Sequence, residues 1–447
     1  MKFALRSRNV LTDNEIRSAD VLIENGKISD ILDYETAGEY VTEDYGDLTV
    51  MPSLIDTHVH VNEPGRADWE GFETLTRSAA AGGITMIADM PLNSSPVTTN
   101  KDSFDLKIRT AEGKLYTDAG FYGGAVSENI SDLKLLYSCG VLGFKSFMID
   151  SGLDEFKFVN ENDLEKILFE LKKFSEAPLL VHAEMSAGLE EIKNDNEYSY
   201  SSFLKSRPGA MECRAIQLLI RLSEKYDTHI HIVHLSSADA VDMIKKARED
   251  GLKITVETCP HYLYFHSETI PDKNTGFKCT PPIRDKDNKE KLWKAVKDGV
   301  IDLIVSDHSP CPDEMKFTAE GNFKNAWGGI SGIQLGLSAV WTEAEKRGFS
   351  IHYISKLMSA GPAKLIGMEK VKGKIEKGFD ADIIIFDPDK TFTVSGKNLF
   401  HKNKLTPYEG EKLKGKVIST YLRGNKIYGN GTIIGNPIGK IILKETF

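Results

Sequence analysis

Apolar and polar positions change rhythm twice along the chain. The first fifty residues read as short alternating β segments. Val21-Leu22-Ile23 runs into Asn25-Gly26, a hairpin turn pair, and Ile28 and Ile31 resume beyond it. The C-terminal part reads the same way, through Asp380-Ala381-Asp382-Ile383-Ile384-Ile385-Phe386 and then 417–422, which leads into Arg423-Gly424-Asn425. Between these ends, apolar runs at 53–58, 84–90, 119–124, 141–147, 178–182, 229–235, 254–258 and 301–306 alternate with helical stretches such as 162–174 and 238–250. Eight β/α units predict a (β/α)8 barrel, with a doubly wound open sheet as the alternative that strand counting leaves standing. The simplest plan folds 1–52 with 376–447 as one small sheet domain and inserts 53–375 as the barrel.

Polar residues gather where these runs end. The first closes on Ile55-Asp56-Thr57-His58-Val59-His60, two imidazoles at i and i+2 that share one side of a strand with Asp56. The fourth holds a single lysine, Lys145. The fifth ends at His182, the sixth at His234 and the eighth at Ser306-Asp307-His308. A lone histidine at a strand end is ordinary structure. Several in register at barrel strand ends converge on one mouth, and imidazole is a common donor to divalent metals. On the sixth strand, alternation puts Ile230, Ile232 and His234 on one face. His234 is therefore the expected inward ligand, with His229 and His231 facing the helices. His308 is expected to support Asp307 by hydrogen bonding rather than to ligate. His261 is either a structural residue or one that faces substrate, and His266, His352 and His401 have no comparable context.

Lys145 sharpens the chemistry. An ammonium buried on a strand is costly and cannot ligate. Addition of CO2 to the neutral amine gives a carbamate, whose two oxygens can bridge two cations. Four histidines, the carbamate and one Asp would hold a binuclear site, where a bridging water becomes a hydroxide nucleophile near neutral pH. Asp307 beside it would take the water's proton and pass it to a leaving amide nitrogen.

Bulk properties narrow the partners. The chain has 447 residues, 56 basic against 66 acidic and a net charge of −10. With no basic run, nucleic acid and anionic membrane are not expected partners. No apolar run approaches the ~18 residues a membrane span needs, and the N-terminus lacks the long apolar core of a signal peptide. Five scattered cysteines without CxxC spacing suit a reducing compartment, so a cytoplasmic protein is expected.

These residues resemble the amidohydrolase superfamily, and within it the cyclic-amide hydrolases: dihydroorotases, dihydropyrimidinases or hydantoinases, and allantoinases. The resemblance runs from Leu54-Ile55-Asp56-Thr57-His58 to Gly378-Phe379-Asp380-Ala381-Asp382. It implies a TIM barrel beside a β-sandwich built from both termini. It implies His58, His60 and Asp307 on one metal, His182 and His234 on the other, and Lys145 bridging as N6-carboxylysine. Zinc is the first expectation, with cobalt, manganese or iron as alternatives, and a homo-oligomer, typically a tetramer, is implied. Dihydroorotases resemble this chain through Asn62-Glu63-Pro64-Gly65, except that they carry an arginine where this chain has Asn62. Loss of a carboxylate-binding guanidinium argues against an anionic substrate. Trp69-Glu70-Gly71-Phe72-Glu73-Thr74, Met90-Pro91-Leu92-Asn93-Ser94-Ser95-Pro96, Ser306-Asp307-His308-Ser309-Pro310-Cys311 and Ala326-Trp327-Gly328-Gly329-Ile330 look like allantoinases in particular. That likeness implies opening of the hydantoin ring of allantoin to allantoate. It also implies substrate contacts at Asn62, Asn93, Thr280 and Gly328. Hydantoinase or dihydroorotase chemistry is the alternative. Non-catalytic scaffold relatives usually lack metal ligands, whereas all six positions are filled here. Ser53 departs from the family's usual glycine, and Arg207, Glu212 and Arg284 are read as charged anchors outside the site.

Overall fold

The computed structural model describes residues 2–13, 15–174, 176–186 and 196–444. All eight apolar runs form strands: Leu54–Val59, Ile84–Asp89, Asp118–Phe121 continued by Gly123–Gly124, Phe144–Phe147, Leu179–His182, Ile230–Ile232, Ile254–Thr258 and Leu303–Ile304. Each pairs in parallel with the next. The ring shuts where His308 bridges to Val59, with His60 N–H donating to the His308 carbonyl at 2.9 Å. That closure excludes the open sheet. Strand alternation sorts the side chains: Ile55, Met86, Leu142, Leu180 and Val233 form one cluster inside the ring. Leu179, Val181, Ile230, Ile232 and Val256 pack outward against helix residues such as Ile167, Leu219 and Ile244.

The expected helices lie outside this ring. Glu161–Leu171 starts at Asn160, whose side chain accepts the Asp163 N–H at 3.1 Å, and it buries Leu164, Ile167, Leu168 and Leu171. Val241–Glu249 follows a short 3-10 turn, Ala238–Ala240.

Both termini meet in one nine-stranded sheet, the β-sandwich domain. The N-terminal part supplies Lys2–Leu11, Ile16–Glu24, Lys27–Asp33, Val41–Asp44 and Thr49–Pro52. The C-terminal part supplies Ile383–Thr393, Lys412–Leu422, Asn425–Gly429 and Thr432–Ile433, joined through antiparallel pairing of Val50 with Ile385. The predicted hairpin turns through Asn25 and Gly26, both at positive φ (51° and 81°). Phe3, Leu5, Val21, Ile23, Val50, Ile383 and Ile385 build the domain's own core. Their alternates Met51, Ile384 and Phe386 join the barrel's core instead.

A buried ionic knot ties the two domains. Lys372 Nζ sits 2.5 Å from Asp382, 3.0 Å from Asp380 and 3.1 Å from Asp118, the last on a barrel strand. Arg423 adds a 2.6 Å bond to Asp118. Removing one member of a buried charge set strands the others in a medium that solvates them poorly. Lys372→Met is therefore expected to destabilise the protein by about 3–5 kcal/mol in denaturant unfolding. A loss below about 1 kcal/mol would show that the arginine and backbone donors suffice.

Candidate metal centre

The six polar residues at the strand ends come together. His58 Nε2 lies 3.2 Å from Asp307 Oδ1, and His60 Nε2 lies 3.4 Å from the same oxygen. Ring centroids of His58 and His60 are 5.6 Å apart, those of His58 and His234 5.3 Å, and those of His182 and His234 4.6 Å. Phe147 stacks on His182 at 4.5 Å and also faces Lys145 Nζ at 4.9 Å, which sets Lys145 beside His182. All are buried, Lys145 completely.

His234 arrives by a different route from the one alternation predicts. On the sixth strand Ile230 and Ile232 face the helices, while Val233 is interior. His231 is likewise turned inward, since its Nε2 is 2.9 Å from Glu257 Oε2, so the expectation that it faces the helices is overturned. The strand ends at Ile232, and His234 takes φ +39°. That left-handed turn swings its ring into the mouth. Asp307 (φ 45°), Asn62 (φ 68°) and Asn93 (φ 70°) adopt the same uncommon conformation at other strand ends. Strained backbone of this kind collects where geometry serves a site.

Carboxylates hold the histidines, and of these sequence reasoning places only Asp56 on the His58 side, passing over Glu257 and Glu184. Glu257, fully buried on the seventh strand, bonds His58 Nδ1 and His231 Nε2 and accepts the His234 backbone N–H at 3.2 Å. Burial raises its pKa, yet the His58 charge and the two imidazole hydrogen bonds outweigh that and bring it to about 2. Glu184 lies 2.7 Å from His182 Nε2 and takes a bidentate pair from Arg207 at 2.6 and 3.1 Å. Asp56 accepts backbone N–H groups from His58 (3.1 Å) and Ser306 (3.2 Å), joining first strand to eighth. Carboxylates oriented on imidazoles in this way fix ring tautomers and raise donor strength. An acid inside an apolar strand was the available signal, the same one Lys145 gives.

The donor set fits divalent cations. Burial holds His60, His182 and His234 below the usual imidazole range, in the neutral form that ligates. Burial pushes the Asp307 carboxyl up, but His58 and His60 hold it well below the usual carboxylate range, so it stays an anion. Lys145 Nζ, His60 Nδ1 and His234 Nδ1 are buried without a partner among the described residues. Burial brings Lys145 from 10.5 to about 7, against the pull of Glu257 and Asp307. A large fraction is thus neutral amine near neutrality, the form that adds CO2. Ligand atoms of His58, His234 and Asp307 all lie within 4.8 Å of one another.

Above the centre lies a cavity of about 990 Å³, lined among others by Phe147, His182, Arg207, Thr280, Trp327 and Gly328. Arg207, read from sequence as lying outside the site, is part of this wall; Glu212 and Arg284 instead pair with each other at 2.6 Å. Thr280 and Gly328 are in close contact: a Cβ on Gly328 would lie 3.1 Å from the threonine side chain. Asn62 and Asn93 are buried and are not among the residues that line the cavity. Asn62 donates to the Pro310 carbonyl at 3.3 Å, and its Oδ1 has no protein partner. The Asn93 carbonyl accepts from Arg66 at 3.2 Å. His308 accepts the Gly332 N–H at Nδ1, and His261 is buried with Nε2 unpartnered.

Residues 49–427 match the family model described as "Amidohydrolase family". An allantoinase from Streptomyces avermitilis is 44% identical over 100% of this chain and 99% of its own. One from Saccharomyces cerevisiae is 39% identical over 98% of both chains. The solved L-hydantoinase (dihydropyrimidinase) of Arthrobacter aurescens superposes with a TM-score of 0.93 at 29% identity, covering 99% of this chain and 100% of that one.

Glu257 gives the geometry a test. Glu257→Gln keeps the shape but loses the charge, and apparent metal affinity is expected to fall about 10- to 100-fold by titration. The folded carboxyl (about 2) is more acidic than the ordinary 4.5, so its ionised form stabilises the metal-free protein above pH 4.5. That stabilisation is lost as pH falls towards 2. The variant's melting temperature should be flatter across this interval, and an unchanged acid profile would contradict the assignment.

Proposed function

The chain belongs to the amidohydrolase family, and we propose that it opens the hydantoin ring of allantoin by hydrolysis, yielding allantoate. Two observations support this reading. The donor cluster at the barrel mouth suits cyclic-amide hydrolysis. The relatives named allantoinase reach 44% identity over the whole chain, above the 29% of the hydantoinase structure. In this reading His58, His60 and Asp307 hold one cation, His182 and His234 the other, and Lys145, as N6-carboxylysine, lies between them. Zinc is the first candidate, ahead of cobalt, manganese or iron.

When bound, the cations supply Lewis acidity, which polarises the ring carbonyl and acidifies water. The protein does the rest. Asp307, held ionised by its histidines, accepts a proton at the oxygen that His58 and His60 leave free, then returns it to the departing ring nitrogen. Lys145 as neutral amine forms a C–N bond to CO2 and releases a proton, giving a carbamate anion in place of the neutral amine. Glu257 and Glu184 keep the imidazoles aimed. Asn62, Asn93, Thr280 and Gly328 are the proposed substrate contacts, the last two on the cavity wall.

No helix among the described residues is long and apolar enough to cross a membrane. We place the protein in the cytoplasm, as a homo-oligomer with a tetramer the first expectation. We draw its domain boundaries at 1–52 with 376–447 for the sandwich and 53–375 for the barrel.

The metal-loaded protein is expected to open allantoin faster than hydantoin, dihydrouracil or dihydroorotate. A faster rate on any of the three would contradict the narrow reading. Asp307→Asn should lower kcat at least about 100-fold, the scale of a lost general base. Lys145→Ala should lose metal and activity together, with partial recovery in a short carboxylic acid.

A further inference from the structure

Lys278 is a cation that the hydrolytic scheme leaves unused. It lines the mouth cavity, as does Phe203, whose ring its Nζ faces at 5.4 Å. The residue is only 8% exposed. Its ammonium donates to the carbonyls of Lys324 at 3.1 Å and Ala326 at 2.5 Å. An ammonium carries three donors, so one remains, and the other two restrict its direction. The charges that act on it, Lys316 and Arg207, are both positive. Arg207 is neutralised by Glu184, and Lys316 is tied to the carbonyls of Lys278 and Trp327 at 2.7 and 2.9 Å. Among the described residues no carboxylate pairs with Lys278, and the residues described on the cavity wall give its charge no counterion. A buried, uncompensated cation is costly, and the cost falls when an acceptor oxygen reaches it. Burial, with Lys316 and Arg207, brings its pKa from 10.5 to about 7, so the third donor belongs to the ammonium fraction, the form that an acceptor oxygen at the free position favours.

We propose that Lys278 determines specificity by donating its remaining N–H to an acceptor oxygen on the substituent of the cyclic amide, away from the ring carbonyl under attack. In the reading above that oxygen is the ureido carbonyl of allantoin, and a carboxylate on the ring substituent would satisfy the same donor. This inference rests on the site being a cyclic-amide hydrolase. Arg207, paired to Glu184, sets the neighbouring wall and leaves Lys278 as the uncommitted charge.

Substrate truncation separates this role from a purely structural one. For the metal-loaded enzyme, Lys278→Met should lower kcat/KM on allantoin about 10- to 100-fold, the worth of a hydrogen bond to a charged group. On unsubstituted hydantoin the loss should stay within about twofold, and Lys278→Gln should recover part of the allantoin rate. Lys316→Met removes a neighbouring tie without the contact, so it should affect both substrates equally. Melting temperature and metal content report on folding. An equal loss on both substrates, or none on either, would overturn the proposal and leave Lys278 as a loop tie. If the unmutated enzyme fails to open allantoin, the functional reading fails by itself. Hydantoin-5-acetate then serves as the substituted probe, and the same ratio decides. Failure to open either substituted probe would overturn both.

Discussion

One buried carboxylate organises the barrel mouth. Glu257 receives His58 and His231 through their rings and His234 through its backbone, so three positions from two other strands converge on one anion. Such an anion inside an apolar barrel is tolerable only when hydrogen-bonded on both oxygens. That requirement works in both directions: the imidazoles stabilise the charge, and the charge fixes the imidazoles. Glu184 does the same for His182, with Arg207 behind it, and Asp56 ties the first strand to the eighth. Among the donors that face the centre, burial leaves His60, His182 and His234 neutral, and Asp307 stays an anion.

The fold supplies this convergence cheaply. Eight parallel strands deliver their carboxyl ends to one face, and closure between Val59 and His308 places Asp307 against the His58 and His60 rings. The sandwich domain contributes no side chain to the metal cluster. It buries one barrel helix's flank through Thr420, which donates to the Ala80 carbonyl, and it is locked by the Lys372 knot. Stability at the junction and chemistry at the mouth are thus carried by separate polar clusters.

Much of this was legible in the residues. Apolar runs of strand length, each followed by helix, announced the barrel, and a polar group at the end of five of them announced the mouth. Alternation failed on the sixth strand for a local reason. The run is strand only through Ile232, and the left-handed φ at His234 changes which side the ring takes, so His231 faces inward as well. Glu257 lies inside its strand rather than at the strand end, so the pattern of polar strand ends does not mark it. A carboxylate inside Ile254-Thr255-Val256-Glu257-Thr258 is as anomalous as Lys145 and carried the same message. Arg207 could not be placed on the mouth from sequence, because what brings it there is its pairing with Glu184 behind His182. Asn62 is buried and donates to the Pro310 carbonyl, a loop contact that strand counting does not reveal.

The central claim is that His58, His60, Lys145, His182, His234 and Asp307 form one centre for two metals. Anomalous diffraction from crystals grown with zinc and bicarbonate addresses it most directly. The account predicts two anomalous peaks at the barrel mouth, one against His58, His60 and Asp307 and one against His182 and His234. It also predicts density for a carboxyl group on Lys145 Nζ between them. A single peak with an unmodified Lys145 would contradict it.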